Sequence, residues 1–354
     1  MKTRPTIRDV ASAAGVSVGT ASRVINANAT VTPGIRERVL GVIRDLGFEP
    51  NVVAQAMRSG TTHTIGVIVR DITVPIFADF VRAIEARLDQ AGYSLLIACS
   101  EDEKAREMEI LRVFGRRKVD GLIMTTVRED DDDLVALRRD LGIPIVFMDR
   151  EVPGGYDSVI LSHSAGTRAA IAHLLALGHR RIGLVTGPDS LTPGRERVAA
   201  YRAAFEAAGV APDMSLVRTR SFDDETCLHE ALGVLAGQDR ATAIVAGGFN
   251  VIGPVLRAVR ERGLAIPRDV AVVAGADSEL TRIFDPPIDA VTFDMAQIGA
   301  TAAEVVLQRI SDRSADVRRV QFETSFVARR SSGPTSAARG RGAKPPGRGT
   351  PVPA

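Results

Sequence analysis

The sequence predicts a small all-α head followed by a larger α/β domain of two lobes, each built on a doubly wound parallel sheet. The first 60 residues carry four short helical patterns, whereas from Thr64 onward short apolar runs alternate with longer amphipathic stretches. Such alternation is typical of repeated strand-helix units. Because about 270 residues follow this second pattern, we expect two lobes with a cleft between them at the strand ends.

Capping signals mark the first two helices of the head. One is predicted over 7–14, where Thr6 and Asp9 have the spacing of a capping box. The other is predicted over 18–25, with Ser17 as its N-cap. A tight glycine turn joins the two helices, and small alanines on both let them cross closely. The sequence therefore predicts a helix-turn-helix pair.

Residues 18, 19 and 23 project from the exposed start of the second predicted helix. A recognition helix presents side chains to a DNA major groove in this way. Residues 1–60 also carry eight Lys or Arg against four Asp or Glu, an excess that suits a phosphate backbone. A helical pair used only for packing is the alternative interpretation.

Two further helical segments follow in the head. The third helix begins at Thr32-Pro33, a capping residue followed by proline, and ends before Gly47. The fourth, over 52–57, is too short to persist alone in water. We therefore expect this fourth segment to fold only with DNA or a partner.

The α/β domain contains eight short apolar runs and several long amphipathic ones. The candidate strands are 65–69, 95–98, 121–124, 145–148, 182–186, 243–246, 270–273 and 290–293. The clearest helices are 78–91, 165–177, 195–208 and 251–262. A terminal strand is predicted over 321–330, and residues 331–354, rich in Gly, Pro and Arg, are expected to be a disordered basic tail.

Several function classes are disfavoured by composition. Cys99 and Cys227 lack the paired spacing of a zinc or redox site, so a reducing cytoplasm is expected. The N-terminus does not read as a signal peptide, and no apolar stretch approaches the roughly 20 residues that span a bilayer. We expect no membrane association, no metal and no cofactor.

Three weaker motifs have structural interpretations. His173 and His179 have no partner at ligand spacing and are expected to be structural or capping residues. The acidic run 130–133 lacks the other features of a calcium loop and is expected to open a solvated helix. A Gly-x-Ser-x-Gly pattern at 15–19 matches a hydrolase elbow, but a helix rather than a strand precedes Ser17, so we do not expect an enzyme.

The chain resembles the LacI/GalR repressors across about 330 residues. The shared motifs are DVA, AGVS, T-x-SRV-x-N and PN-x-x-AQ in the head, then LGHRRIGLVTGP and RERGLAIPRDVAVV in the larger domain. This resemblance implies a two-lobed periplasmic-binding-protein-like fold for that domain. It also implies a cytoplasmic homodimer that represses transcription from a palindromic double-stranded DNA operator, controlled by a small-molecule effector such as a sugar. No leucine heptads follow the last strand, so we expect a dimer rather than a tetramer.

The resemblance places Val18, Gly19 and Arg23 at the base-reading positions of the family, with hydroxyl and amide side chains around them for phosphates. Met57 stands where the family inserts a leucine wedge into the DNA minor groove; a plain linker is the alternative for this segment. The implied DNA-binding set is Thr6, Ser17, Val18, Gly19, Thr20, Ser22, Arg23, Asn26, Asn51, Ala54 and Met57.

By the same resemblance, the effector lies between the lobes and is held by residues at strand ends. The implied set is Phe77, Thr125, Asp149, Arg150, Arg195, Phe249, Asp277 and Phe293. The chain departs from many relatives at Gly248-Phe249, where they have Asn-Asp, and at 274–277, where they have Gly-Phe-Asp-Asp. Both changes remove groups that bind hydroxyls, so we expect a less hydroxylated effector or weak effector dependence.

These inferences define four segments. Residues 1–50 are assigned to the helix-turn-helix domain, 51–62 to the hinge helix and linker, 63–330 to the effector-binding and dimerisation domain, and 331–354 to the tail. Two rival classes share parts of this pattern. A transport solute-binding protein would have the same lobes but a signal peptide and no basic head, and an enzyme would need a nucleophile-base pair or a metal cluster in the cleft.

Overall fold

The computed structural model describes residues 5–25, 30–48 and 60–335. They fall into two compact units, one up to His63 and the other from Thr64. Four predicted DNA contacts lie outside the described residues: Asn26, Asn51, Ala54 and Met57. The predicted hinge helix over 52–57 also lies outside them.

The first unit contains helices α1 (Ile7–Ala13), α2 (Val18–Ile25) and α3 (Pro33–Leu46). The predicted capping box of α1 is confirmed, since Thr6 N and Thr6 Oγ1 donate to Asp9 Oδ2 at 2.7 and 2.8 Å. After α1, Gly15 takes a φ of 64°, which favours glycine and turns the chain into α2. The three helices pack around a small core of Val10, Ala14, Val24 and Val39.

The second unit alternates strands and helices, as predicted. Its strands are β1 (Thr64–Val69), β2 (Ser94–Cys99), β3 (Gly121–Met124), β4 (Ile145–Met148), β5 (Asp157–Ser162), β6 (Ile182–Thr186), β7 (Val217–Arg218), β8 (Ala243–Gly247), β9 (Ala271–Ala274), β10 (Asp289–Thr292), β11 (Arg319–Glu323) and β12 (Ser325–Val327). Its helices are α4 (Pro75–Gln90), α5 (Lys104–Arg117), α6 (Asp132–Leu141), α7 (His163–Ala176), α8 (Thr192–Ala207), α9 (Asp224–Val234), α10 (Ile252–Glu261), α11 (Glu279–Ile283) and α12 (Met295–Ser311), with a 3₁₀ turn at Met214–Leu216.

Two six-stranded sheets form two lobes. The first lobe has the order β11-β5-β4-β3-β1-β2 and is parallel throughout. The second has the order β12-β10-β9-β8-β6-β7 and is parallel except at its edge, where β12 runs antiparallel to β10. Each sheet carries buried apolar clusters on both faces, which confirms the doubly wound arrangement.

The chain crosses between the lobes three times. β5 belongs to the first sheet, but α7, which follows it directly, packs in the core of the second lobe. β10 belongs to the second sheet, and α12 returns to the core of the first. The last crossing is at Thr324, which donates to Ser162 O at 2.6 Å and accepts from Gly166 N at 3.0 Å. The first and third crossings are therefore bonded to each other.

The single terminal strand predicted over 321–330 is wrong. The segment forms two short strands, β11 and β12, which lie in different sheets on either side of the buried Thr324. Its alternating apolar pattern is continuous through this point, because both halves are edge strands with one face packed. The predictions also named no strand at β5, which precedes the first crossing.

The predicted start of the tail at Ser331 is wrong as well. Ser331 is fully buried in the second lobe, where its Oγ accepts from Asp289 N at 2.7 Å and donates to Val272 O at 2.6 Å. His173 and His179 hold the next residues, with Nε2 of His173 2.8 Å from Ser332 Oγ. Nε2 of His179 lies 2.9 Å from Gly333 O. Both histidines are therefore structural, as predicted, and the chain remains packed through the described residue Thr335.

The acidic run at 130–133 opens a helix, as predicted. Asp131 is the N-cap of α6, and its carboxylate accepts from Leu134 N at 3.2 Å. Lys104 Nζ lies 2.7 Å from both Asp131 and Asp133. Two carboxylates of this run are thus paired with a lysine of α5.

Candidate functional site

Helix α2 turns one face to the core of the head and the other to solvent. Ala21 and Val24 are buried, whereas Val18, Gly19 and Arg23 are exposed, with Val18 at 44%. An exposed apolar side chain at the start of the helix and an exposed guanidinium in its last turn match the geometry of a major-groove reader.

Hydroxyl groups surround the start of α2. Ser17 is its N-cap, as predicted, because Ser17 Oγ accepts from Thr20 N at 3.1 Å and lies 2.9 Å from Thr20 Oγ1. These groups lie at a helix N-terminus, where backbone N–H donors favour phosphate. Thr6 lies at the start of α1 instead, and its hydroxyl is bonded to Asp9. The two hydrogen bonds from Thr6 lower the pKa of Asp9.

Five predicted effector residues, Phe77, Thr125, Asp149, Arg150 and Phe249, line one cavity between the lobes. This inner cavity is only about 30 Å³ in volume. An outer cavity of about 680 Å³ adjoins it, since both are lined by Arg70, Phe249 and Asn250. Asp277 lines the outer cavity, and Phe293 contacts the ring of Phe249.

Asp149 is held at the inner cavity by a buried polar chain. It follows β4 with a φ of 57°, a conformation that costs energy for a non-glycine residue. Its two carboxylate oxygens both lie 3.0 Å from His163 Nε2, and His163 Nδ1 lies 3.0 Å from Arg197 Nη2. The three residues join the end of β4 to the starts of α7 and α8, and so link the two lobes.

The protonation of His163 follows from its partners. A guanidinium is only a donor, so Nδ1 must accept from Arg197, and Nε2 carries the proton that it donates to Asp149. Burial lowers the pKa of His163, and the positive charge of Arg197 lowers it further. Burial acts to raise the pKa of Asp149, but its interaction with His163, including the hydrogen bond, and the positive charges of Arg150 and Arg197 outweigh burial, so the pKa is lowered. The arrangement is a neutral imidazole between a carboxylate and a guanidinium.

Arg150 lines the inner cavity beside Asp149 and is 6% exposed. Its Nε donates to Thr126 O at 2.8 Å, and its Nη1 donates to Asp149 O at 2.7 Å. Both acceptors are backbone oxygens, so the guanidinium is fixed in direction without a carboxylate partner in the described part of the chain.

Phenylalanine rings cross the cleft. Phe249, after β8 of the second lobe, lies edge-on to Phe77 of the first lobe with ring centroids 5.7 Å apart, and the Phe249 and Phe293 centroids are also 5.7 Å apart. Phe222 lies against Gly187 and Gly248, where added Cβ atoms would come within 2.1 and 3.1 Å of its ring. Gly187 is therefore the residue that admits the ring of Phe222, and Gly248, a departure from the family pattern, gives the ring additional room.

Arg195 does not line either cavity. Its Nη2 lies 3.3 Å from Glu129 and 3.4 Å from Glu151, both on the first lobe, while its own helix α8 belongs to the second. Glu129 is buried and also accepts from the N and Oγ1 of Thr192 at 2.8 and 2.6 Å. This predicted effector residue thus forms contacts between the lobes.

Sequence reasoning missed several residues of the inner cavity and its surroundings, among them Arg70, His163, Arg197, Phe222 and Asn250. Arg70 directly follows β1. Because ligands bind at the carboxyl ends of parallel strands, its position in the sequence could have indicated a role in the cavity. His163 and Arg197 lie within or at the start of helices, and only the tertiary fold brings them together.

The described residues contain no group of three or more His, Cys, Asp or Glu side chains placed to hold a metal ion. Within that same part of the chain, no helix is long and apolar enough to cross a membrane. The Gly-x-Ser-x-Gly pattern has α1 before it rather than a strand, and Ser17 serves as a helix cap.

Comparison with family models and curated proteins agrees with this geometry. Residues 6–51 match the model of bacterial regulatory proteins of the lacI family, and residues 171–332 match a periplasmic binding protein-like domain. The transcriptional regulator DegA of Bacillus subtilis is 31% identical over 337 residues, which cover 94% of this chain and 99% of DegA. The transcriptional repressor PurR of Photobacterium profundum is 29% identical, covering 92% of this chain and 98% of PurR.

Solved structures show the same relationship. The lac repressor dimer bound to operator and the anti-inducer ONPF is 27% identical, with a TM-score of 0.81, covering 94% of this chain and 100% of that one. The transcriptional regulator CelR in complex with cellobiose is 29% identical, with a TM-score of 0.70, covering 93% of this chain and 100% of CelR. The chain therefore belongs to the lacI family of bacterial regulatory proteins and is a DNA-binding transcriptional regulator.

Proposed function

We propose that the protein is a cytoplasmic homodimer that represses transcription by binding a roughly palindromic operator, one half-site for each α2. The observation that carries this proposal is the exposed face of α2, which presents Val18, Gly19 and Arg23 beside the hydroxyls of Ser17 and Thr20. A dimer with two-fold symmetry matches a palindromic site. The operator-bound dimer of the related lac repressor supports the same assembly.

Direct base readout by this helix is sparse. Arg23 is suited to a bidentate contact with a guanine, Val18 offers apolar contact to a thymine methyl, and Gly19 has no side chain to read with. We propose that Ser17, Thr20 and Ser22 contact phosphates. DNA shape then supplies much of the remaining specificity, with Met57 as the minor-groove wedge that kinks the central step.

The inter-lobe cleft is proposed as the effector site. Phe77, Thr125, Asp149, Arg150 and Phe249 line its inner part, and the complex of the related CelR with cellobiose supports ligand binding in such a domain. A ligand that prefers one lobe closure shifts the population of closures and so changes operator affinity. The segment boundaries at residues 50 and 62 remain part of the proposal, as does the absence of an enzymatic activity.

Selection of binding sites from random duplexes by the purified full-length protein tests the proposal. We expect enrichment of a palindrome with a flexible central step, and loss of about 1–3 kcal/mol of binding free energy to it in Arg23→Ala. Arg112→Ala removes the same charge from an exposed position on α5 and serves as the control. Binding that is salt-sensitive but without enrichment, or an Arg23→Ala variant equal to its control, would contradict the proposal.

A further inference from the structure

We propose that the effector of this protein is a small organic anion, a planar carboxylate with an apolar ring, rather than a neutral sugar. The inference rests on the proposed function, because it assigns a ligand class to the same inter-lobe cleft. Its basis is a set of three arginines that line the inner cavity beside a single carboxylate, together with the phenylalanine rings beside them.

Charge in the inner cavity is unbalanced. Its lining contains Arg70, Arg150 and Arg197 against the single carboxylate of Asp149. Both oxygens of that carboxylate lie against the single N–H of the neutral His163. The cavity therefore presents positive charge from groups that are removed from most of the solvent.

Two of these guanidiniums are available to a ligand. Arg150 is bonded only through Nε and Nη1, both to backbone oxygens, among the described residues. Arg70 forms a long ion pair with Asp102, at 3.9 Å, which is beyond hydrogen-bond distance, and its side chain is 14% exposed. A planar guanidinium pairs well with the two oxygens of a carboxylate. Buried cations without a short ion pair gain most from an anionic partner.

Groups that recognise sugar hydroxyls are few at this cavity. A sugar needs acceptors for its O–H groups, and the inner lining has a single carboxylate, Asp149, which already accepts from His163. Three guanidiniums face that carboxylate, so N–H donors outnumber acceptors among the side chains of the inner cavity. Its lining thus favours a ligand group that accepts hydrogen bonds.

The apolar part of the lining indicates the shape of the ligand. Phe77, Phe222 and Phe249 all face the inner cavity, and Pro193 and Met148 complete the apolar surface. Flat rings pack against aromatic side chains edge-to-face or offset. The inner cavity of about 30 Å³ is too small for a whole ligand, but the adjoining 680 Å³ falls within the usual range of small-molecule sites.

Calorimetric titration of the full-length protein with benzoate, benzamide and ribose tests this inference. Benzamide has the ring of benzoate without its charge, and ribose carries hydroxyls without either. We expect benzoate to bind at least about tenfold more tightly than benzamide, as charge-assisted hydrogen bonds predict. Ribose should bind more weakly than both. Equal affinity for benzoate and benzamide, tighter binding of ribose, or no binding of benzoate would overturn the inference.

Two variants locate the preference. Arg70→Met and Arg150→Met should each reduce the benzoate-to-benzamide ratio toward one, while Arg106→Met, an exposed arginine of α5, should leave it unchanged. Because Arg150 donates to two backbone oxygens, thermal unfolding of Arg150→Met is measured first. If Arg150→Met fails to fold, Arg70→Met still tests the inference, because Arg70 forms fewer bonds. A ratio unchanged in Arg70→Met would overturn the inference. Binding to the selected operator is measured without ligand in parallel: operator binding without benzoate binding refutes the ligand class alone, whereas loss of operator selection refutes the proposed function.

Discussion

Replacing Arg138 of α6 by methionine should destabilise the second unit by about 3 kcal/mol. Arg138 and Glu107 of α5 are both fully buried, and Nη2 of Arg138 donates to Glu107 Oε1 at 2.8 Å. The variant leaves the carboxylate buried without its counter-charge, which costs about 3–5 kcal/mol in comparable sites. Glu107 retains two donors, Thr126 Oγ1 at 2.9 Å and Val127 N at 2.8 Å, so the lower end of that range applies.

The double variant Arg138→Met with Glu107→Gln should lose much less, about 1 kcal/mol. Glutamine keeps an acceptor for Val127 N and carries no charge. The ion pair is also costly in the native protein, because Nε and Nη1 of Arg138 are buried without a hydrogen-bond partner among the described residues. Methionine fills much of the space of the arginine stem and packs well beside Phe147, over whose ring the guanidinium lies at 5.3 Å.

Urea unfolding of both variants, at one protein concentration because the proposed dimer makes stability depend on it, measures these differences. A single variant no less stable than the double variant would refute the reasoning, since it would show that the buried charge of Glu107 needs no partner. The pair also fixes the loop 126–129, which carries Glu129 to the inter-lobe contact with Arg195. A destabilised loop should therefore also alter effector affinity.

Two further predictions concern the cleft. The pKa of His163 is lowered in the folded protein, so the unfolded chain binds the proton more tightly. Stability should therefore fall as pH drops below the ordinary histidine pKa of about 6.5. The variant His163→Gln is neutral at every pH and should flatten this part of the stability profile measured by urea unfolding, and an unchanged slope would rule out a neutral buried His163. Thr192→Val removes the Oγ1 hydrogen bond to the buried Glu129 but keeps the one from the backbone N–H, and should cost about 1–3 kcal/mol, whereas Arg195→Met, which loses half-exposed pairs at 3.3 and 3.4 Å, should cost less than about 1 kcal/mol. Urea unfolding that reverses this order would contradict our account of the inter-lobe contact.

The parts of the structure that sequence could predict are those determined locally. The N-terminal ends of α1 and α2 could be predicted from Thr6, Asp9 and Ser17. The Asp9 carboxylate accepts from the backbone of Thr6, and the Ser17 hydroxyl accepts from a backbone N–H three residues later, so each signal lies within a short stretch of sequence. The central strands follow from continuous apolar runs, because parallel strands are buried on both faces. The switch of sheets at Thr324 could not be predicted, since its hydrogen bonds go to Ser162 and Gly166, about 160 residues earlier in the chain.

The two arginines of α8 show why site residues are harder to predict than folds. Arg195 and Arg197 are two positions apart, so they project from nearly opposite sides of a helix with 3.6 residues per turn. The same helix thus places one guanidinium on His163 in the buried chain to Asp149, and the other at the surface between Glu129 and Glu151. The family resemblance implied Arg195 as the effector residue, from its position in a motif. In the structure, however, Arg197 is the buried arginine that lines the inner cavity. Which of two neighbouring cations faces a ligand depends on the rotation of α8 against two lobes, and that rotation is set by packing across the whole domain.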